Sequence, residues 1–194
     1  MKLSDIADVK TGLVLARKAA DSKGSAIVIY KQLNLRCVQS SGEIDLNLVD
    51  TFLSVEELGS NYLTCPGDVI VRLTAPYTAV LITKETQKLV VPSHFCIIRT
   101  KENMSVPEYI QWLLNSQIVK TQIAKNTTGT SYASIKPSIY SELEIEPIPI
   151  IDQEKIAQIF MTAQKELALI EELRCTKEQY YQTVLKTLYS KKRR

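Results

Sequence analysis

Ser93-His94 is the one place where a hydroxyl stands beside an imidazole, and His94 is the only histidine of the chain. Neighbours along a strand point to opposite faces, and no nucleophile elbow surrounds the serine, so the pair reads as structural. Glu142-Leu143-Glu144-Ile145-Glu146 alternates carboxylates with aliphatic groups. That is the pattern of a half-buried edge strand rather than of a catalytic carboxylate pair. Cys37, Cys65, Cys96 and Cys175 are scattered, with no Cys-x-x-Cys. With a single histidine they make a poor zinc site and read as buried free thiols in a reducing compartment. No Gly-x-x-x-x-Gly-Lys phosphate loop and no Gly-x-Gly-x-x-Gly is present. The chain therefore reads as non-catalytic, with no metal site.

The elements that must carry any other role divide near residue 151. All six glycines and all seven prolines precede it, so residues 151–194 contain no helix breaker. Asp152 is a credible N-cap, followed by Gln153 and Glu154. Apolar groups then recur in steps of four and three at Ile156, Phe160, Ala163, Leu167 and Ile170. The register continues through Arg174 and Lys177 to Tyr181, Val184 and Leu188. This is a heptad seam with a polar interruption, as in coiled coils. A helix over 152–190 would be roughly 58 Å long, too long to lie wholly on a domain of 150 residues, so part of it should pair with another helix.

Residues 1–150 mix short β-branched runs with polar loops. Runs at 26–30, 69–73, 79–82, 88–91 and 95–98 predict strands, and Cys65-Pro66-Gly67-Asp68 a turn. Ser105-Val106-Pro107-Glu108 has the form of a capping box with proline in the first turn and predicts a helix. Ser116 could cap a second, through Ile118, Val119 and Ile123. The expected architecture is α+β: a mixed domain over 1–150, then one long helix over 151–194.

Charge is informative by region. Residues 152–194 hold nine Lys/Arg against six Asp/Glu, and residues 1–151 hold fifteen of each, so the net +3 lies wholly in the helical part. Residues 37–68 carry six acids and no base, while 117–141 carry Lys120, Lys125 and Lys136 and no acid. Any nucleic-acid contact must therefore be a local face. No run approaches the roughly 20 apolar residues of a membrane helix, and Met1-Lys2-Leu3-Ser4-Asp5 is unlike a secretory signal. The expected location is cytoplasmic.

One succession of motifs goes further. Gly129-Thr130-Ser131 and Ile135 are followed by Leu143 and Ile145-Glu146-Pro147-Ile148-Pro149, then by Asp152-Gln153-Glu154-Lys155-Ile156-Ala157. Upstream stand Leu3-Ser4-Asp5-Ile6-Ala7-Asp8-Val9 leading to Gly12, Gly67-Asp68-Val69-Ile70 with Arg72, and Val91-x-Ser93-x-Phe95. In this order the motifs resemble the DNA-specificity subunit of type I restriction–modification systems, over nearly the whole chain. A full subunit of that family holds two target-recognition domains and two long helices; this chain has one of each, and so resembles a half-subunit or half of a split or phase-variable one.

The resemblance implies a sequence-specific DNA reader of one half of a bipartite target. It would dock a modification subunit, and in some assemblies a motor and nuclease subunit. S-adenosylmethionine, ATP and magnesium would belong to those partners, with no cofactor on this chain. The seam Ile156, Phe160, Ala163, Leu167, Ile170, Tyr181, Val184 and Leu188 would then pair antiparallel with a second copy, giving a homodimer. Candidate DNA contacts, chosen for charge, amide and hydroxyl donors and close approach, are Lys125, Asn126, Thr128, Gly129, Ser131, Tyr132 and Lys136. Lys31 and Gln32, Arg72, Thr74 and Tyr77, and Arg17 and Lys18 complete the set. The alternative is a regulatory protein that competes for the modification subunit through its helix without reading DNA strongly.

Overall fold

The computed structural model describes residues 1–20, 27–126 and 134–191. Two compact units divide the chain, Met1–Ala157 and Gln158–Arg194. The first opens with α1 (Leu3–Ile6) and β1 (Ala7–Thr11), followed by β2 (Val28–Gln32) and β3 (Asp50–Ser54). β4 (Asp68–Arg72), β5 (Ala79–Leu81) and β6 (Phe95–Thr100) come next. Three helices follow, α2 (Pro107–Asn115), α3 (Gln117–Asn126) and α4 (Pro137–Ser141), before the long α5 (Ile150–Lys191). The architecture is α+β, as the sequence implies.

Four strands form an antiparallel sheet in the order β1-β6-β4-β5. Its central strands are continuous apolar runs because both faces are covered. Val69, Val71, Ala79, Cys96 and Ile98 point to one face, under α2, α3 and α4 with Ile110, Leu114, Ile123 and Tyr140. Ile70, Val80, Phe95 and Ile97 point to the other, against Leu33, Cys37, Leu89 and Val91. Strand alternation thus divides one sheet between two cores. β2 and β3 form a separate antiparallel ribbon, with Phe52 buried beside Leu13, Leu58 and Val90.

One buried charge anchors this sheet. Asp68, at the start of β4, accepts from Arg99 Nε and Nη2 at 2.6 and 2.7 Å and from the Cys65 amide at 2.8 Å. The fork geometry satisfies both carboxylate oxygens, as a buried acid requires. Gly67 makes the preceding turn at φ +88°, a conformation open to glycine. Gly12 answers a different demand: a Cβ there would lie 2.2 Å from the Pro92 carbonyl oxygen.

Several expectations are corrected. Run 88–91 is not a strand among the described residues; Lys88 takes φ 62° and Val90 makes only isolated bridges to Gln32 and Leu63. β1 and β3, rich in charged and polar residues, were not expected. Residues 142–146 keep the predicted alternation, with Leu143 and Ile145 buried, yet pair only through a Lys2–Glu144 bridge. Ser105 does not cap α2. Its hydroxyl donates to Gln153 Oε1 at 2.8 Å, and that same oxygen accepts the Val106 amide at 3.0 Å. The free end of α2 is therefore satisfied from α5, a partner 47 residues away, rather than locally. Asp152 lies in the first turn of α5, not before it. Cys37 and Cys96 are buried, Cys65 is half-buried, and Cys175 is exposed.

In the second unit, α5 carries exposed Leu167, Ile170, Tyr181 and Leu188 from the expected seam, with Val184 half-buried. Arg174 interrupts that seam and pairs with Glu171 and Glu178, three and four residues away. Ile156 is different: it packs against the core of the first unit.

Candidate nucleic-acid interface

The short connection between β4 and β5 collects three of the expected contact residues. The Arg72 amide donates to Thr78 O at 3.1 Å and the Tyr77 amide to Thr74 O at 3.0 Å. Within it the Ala75–Pro76 peptide is cis and Tyr77 takes φ 57°. Two further ties bring up the chain that leaves residues 127–133. The Ile135 amide donates to Leu73 O at 2.8 Å, and the buried Tyr140 hydroxyl donates to Arg72 O at 3.2 Å. Lys136, exposed, then stands at the N-cap of α4. Arg72, Thr74, Tyr77 and Lys136 are thereby drawn to one end of the sheet.

His94 joins them, although the sequence offered no reason to place it there. Its carbonyl accepts the Leu73 amide at 3.0 Å, and burial, followed by the Arg72 charge, holds its imidazole below the usual value. Arg72 Nε, Thr74 Oγ1 and His94 Nε2 are all buried without a hydrogen-bond partner among the described residues. A buried polar atom so left costs about 1–3 kcal/mol, and three beside one turn mark where the first unit's polar groups are least satisfied. The signal that unites His94 with Arg72 is the β4–β6 register, in which Arg72 faces Phe95. Only strand pairing reveals it.

The other candidates fall elsewhere. Lys125 and Asn126 end α3, both exposed; Lys125 suits the negative end of the helix dipole and equally a phosphate. Thr128, Gly129, Ser131 and Tyr132 lie outside the described residues. Lys31 and Gln32 end β2, Lys31 opposite Thr51 and Gln32 opposite Asp50. Arg17 closes a 3-10 turn, and the next residues run beside β3 through an Ala19–Ser54 bridge. Lys18 is ion-paired there to Glu56, both side chains partly exposed. Among the described residues no ion pair engages Arg17, Lys31, Lys125 or Lys136. Their backbone ties sort the candidates into a group on the β2–β3 ribbon and a group at the β4–β5 turn.

Among the described residues no group of three or more His, Cys, Asp or Glu is placed to hold a metal, and no helix is long and apolar enough to cross a membrane. The buried Cys96 thiol is pushed up to about 12 by desolvation, so it stays protonated and unreactive near neutrality.

No family model and no curated protein matches the chain. Solved structures do. An HsdS subunit from Thermoanaerobacter tengcongensis matches with a TM-score of 0.67 and 18% identity, over 90% of this chain and 44% of that one. A second match, from a study of complex assembly and conformational transition of the type I R-M system, has a TM-score of 0.67 and 17% identity over the same shares. The chain spans less than half the length of these proteins, and over nine-tenths of its own length it shares the fold of an HsdS subunit.

Proposed function

We propose that this chain is a non-catalytic, sequence-specific DNA-binding specificity subunit of a type I restriction–modification system, reading one half of a bipartite target. The observation that carries the proposal is the fold likeness to an HsdS subunit over 90% of the chain. Two features support it. The β4–β5 turn gathers Arg72, Thr74 and Tyr77 beside Lys136, a mixture of cation, hydroxyl and aromatic suited to phosphates and base edges. α5 presents Leu167, Ile170, Tyr181 and Leu188 at 54–61% exposure, a large apolar stripe for a free surface.

That stripe would be buried by a second copy running antiparallel, which would set two reading domains on a symmetric, interrupted target. Each half-exposed Leu, Ile or Tyr would contribute about 1 kcal/mol on burial. S-adenosylmethionine, ATP and magnesium would be supplied by the modification and motor subunits that the assembly recruits. Selection of bound duplexes from a random pool, on the chain with a modification subunit, tests the reading. Enrichment of a bipartite motif is expected. Binding of the modification subunit with no enriched sequence would favour the regulatory competitor instead. Sedimentation tests pairing: a dimer at micromolar concentration, made monomeric by Leu167→Asp with Ile170→Asp, is expected, and a monomer at tens of micromolar refutes it.

A further inference from the structure

A groove of about 940 Å³ opens in the first unit beside the first turns of α5. Tyr109, Trp112 and Leu113 of α2, Ile118 of α3, and Ile148 and Ile156 form its apolar lining. Ile118 is 60% exposed, and Trp112 is half-buried. The polar rim carries Asp5, Glu144 and Glu146 against Lys2 and the Met1 ammonium, which donates to Ile145 O at 3.1 Å. Glu146 lies close enough to Tyr109 to help hold its phenol above the usual range, after burial itself.

We propose that this groove receives the C-terminal end of α5 from a second copy of the chain, apolar side chains on the floor and basic tail on the acidic rim. The inference rests on the antiparallel pairing proposed above. The seam has one register that uses all ten of its positions, if Ile156 faces Leu188 of the second copy. Phe160 then faces Val184, the small Ala163 faces the large Tyr181, Leu167 faces Lys177, and Ile170 faces Arg174. The smallest residue of the seam thus meets its phenol, a complementarity that interdigitation favours, and no charge opposes its like. Sliding by one heptad toward the C-terminus sets Arg174 against Lys177 of the other copy, a repulsive pair in a partly desolvated seam. Sliding the other way leaves Val184 and Leu188 without partners.

In the favoured register Leu188 of the second copy meets Ile156, which itself lines the groove. Leu185, a turn earlier and 61% exposed, comes with it. The next residues in sequence, Lys191-Lys192-Arg193-Arg194, are four cations that would follow toward a rim of three carboxylates and two ammonium groups. That charge match selects this occupant over an acidic one.

Trp112 is the only tryptophan of the chain, so its emission reports the groove directly. The full chain is diluted through its dimer transition while sedimentation gives the mass and fluorescence the Trp112 spectrum. On dimerisation the emission should move to shorter wavelength. Reversing the tail (Lys191, Lys192, Arg193 and Arg194, all to Glu) or the rim (Glu144→Lys with Glu146→Lys) should each weaken the dimer about tenfold at low salt. Combining the two should restore it to within about threefold, a rescue that a merely misfolded variant cannot give. A dimer whose Trp112 spectrum does not change, or whose affinity ignores both reversals, overturns the groove assignment and leaves helix pairing standing. A monomer at every concentration overturns both. A Trp112 shift produced only by the modification subunit, indifferent to the tail, assigns the groove to that subunit and refutes the proposal.

Discussion

Gln153 offers the sharpest energetic test, because one side chain closes three open hydrogen-bond positions. It is 5% exposed; its oxygen takes the Ser105 hydroxyl and the Val106 amide, at 2.8 and 3.0 Å, and its amide nitrogen donates to Ile148 O at 3.1 Å. Gln153→Met keeps the volume and removes all three bonds. Each contributes about 1 kcal/mol net, and the groups left behind are half-buried or buried, so the loss should be about 3 kcal/mol. In a chain of this size that is a fall in Tm of about 6–12 °C. Urea unfolding followed by circular dichroism gives the free energy, and amide exchange in the first turn of α2 gives the locality. A variant within 0.5 kcal/mol of the parent, with unchanged exchange at α2, would show that Gln153 does not join α2 to α5.

Three other outcomes are expected. Burial and the Arg72 charge lower the His94 pKa below its unfolded value near 6.5. The unfolded chain therefore takes up the proton first, and stability falls as pH drops through that value and below; in His94→Gln the loss between pH 7.5 and pH 5.5 should be smaller, and equal slopes in denaturant titrations would refute the assignment. Gly12→Ala should destabilise by more than about 2 kcal/mol, since the new methyl would press on the Pro92 and Val91 carbonyl oxygens at 2.2 and 2.4 Å; urea unfolding at parental stability would contradict that geometry. Lys125→Ala and Lys136→Ala should each reduce the salt dependence of DNA binding by about one unit, read by anisotropy across ionic strengths; an unchanged slope would remove that lysine from the phosphate contacts.

Periodicity was most legible where a residue's partners are close in sequence. The apolar runs around Ile70 and Ile97 had to be strands, and the stretch from Asp152 on, free of Gly and Pro, had to be a helix; the structure extends it to Ile150–Lys191. β1 and β3 carry no such signal, because Asp8, Lys10, Asp50 and Thr51 dilute any alternation. These strands are held by pairing with distant segments, as in Val9 opposite Ile98 and Phe52 opposite Tyr30, and not by their own propensity. The cap of α2 failed for the same reason: Ser105 looked local, and its hydroxyl turned to Gln153.

The sequence by itself determined the α+β class, the apolar strands around Ile70 and Ile97, and the long helix α5. Each is a property of residue type and spacing. Only the tertiary structure decided which polar groups meet: Arg72 with His94, Gln153 with the end of α2, acids with apolar side chains around Trp112. Hydrogen bonds and charges act over a few ångströms, whereas the partners stand tens of residues apart, so folding alone brings them within range.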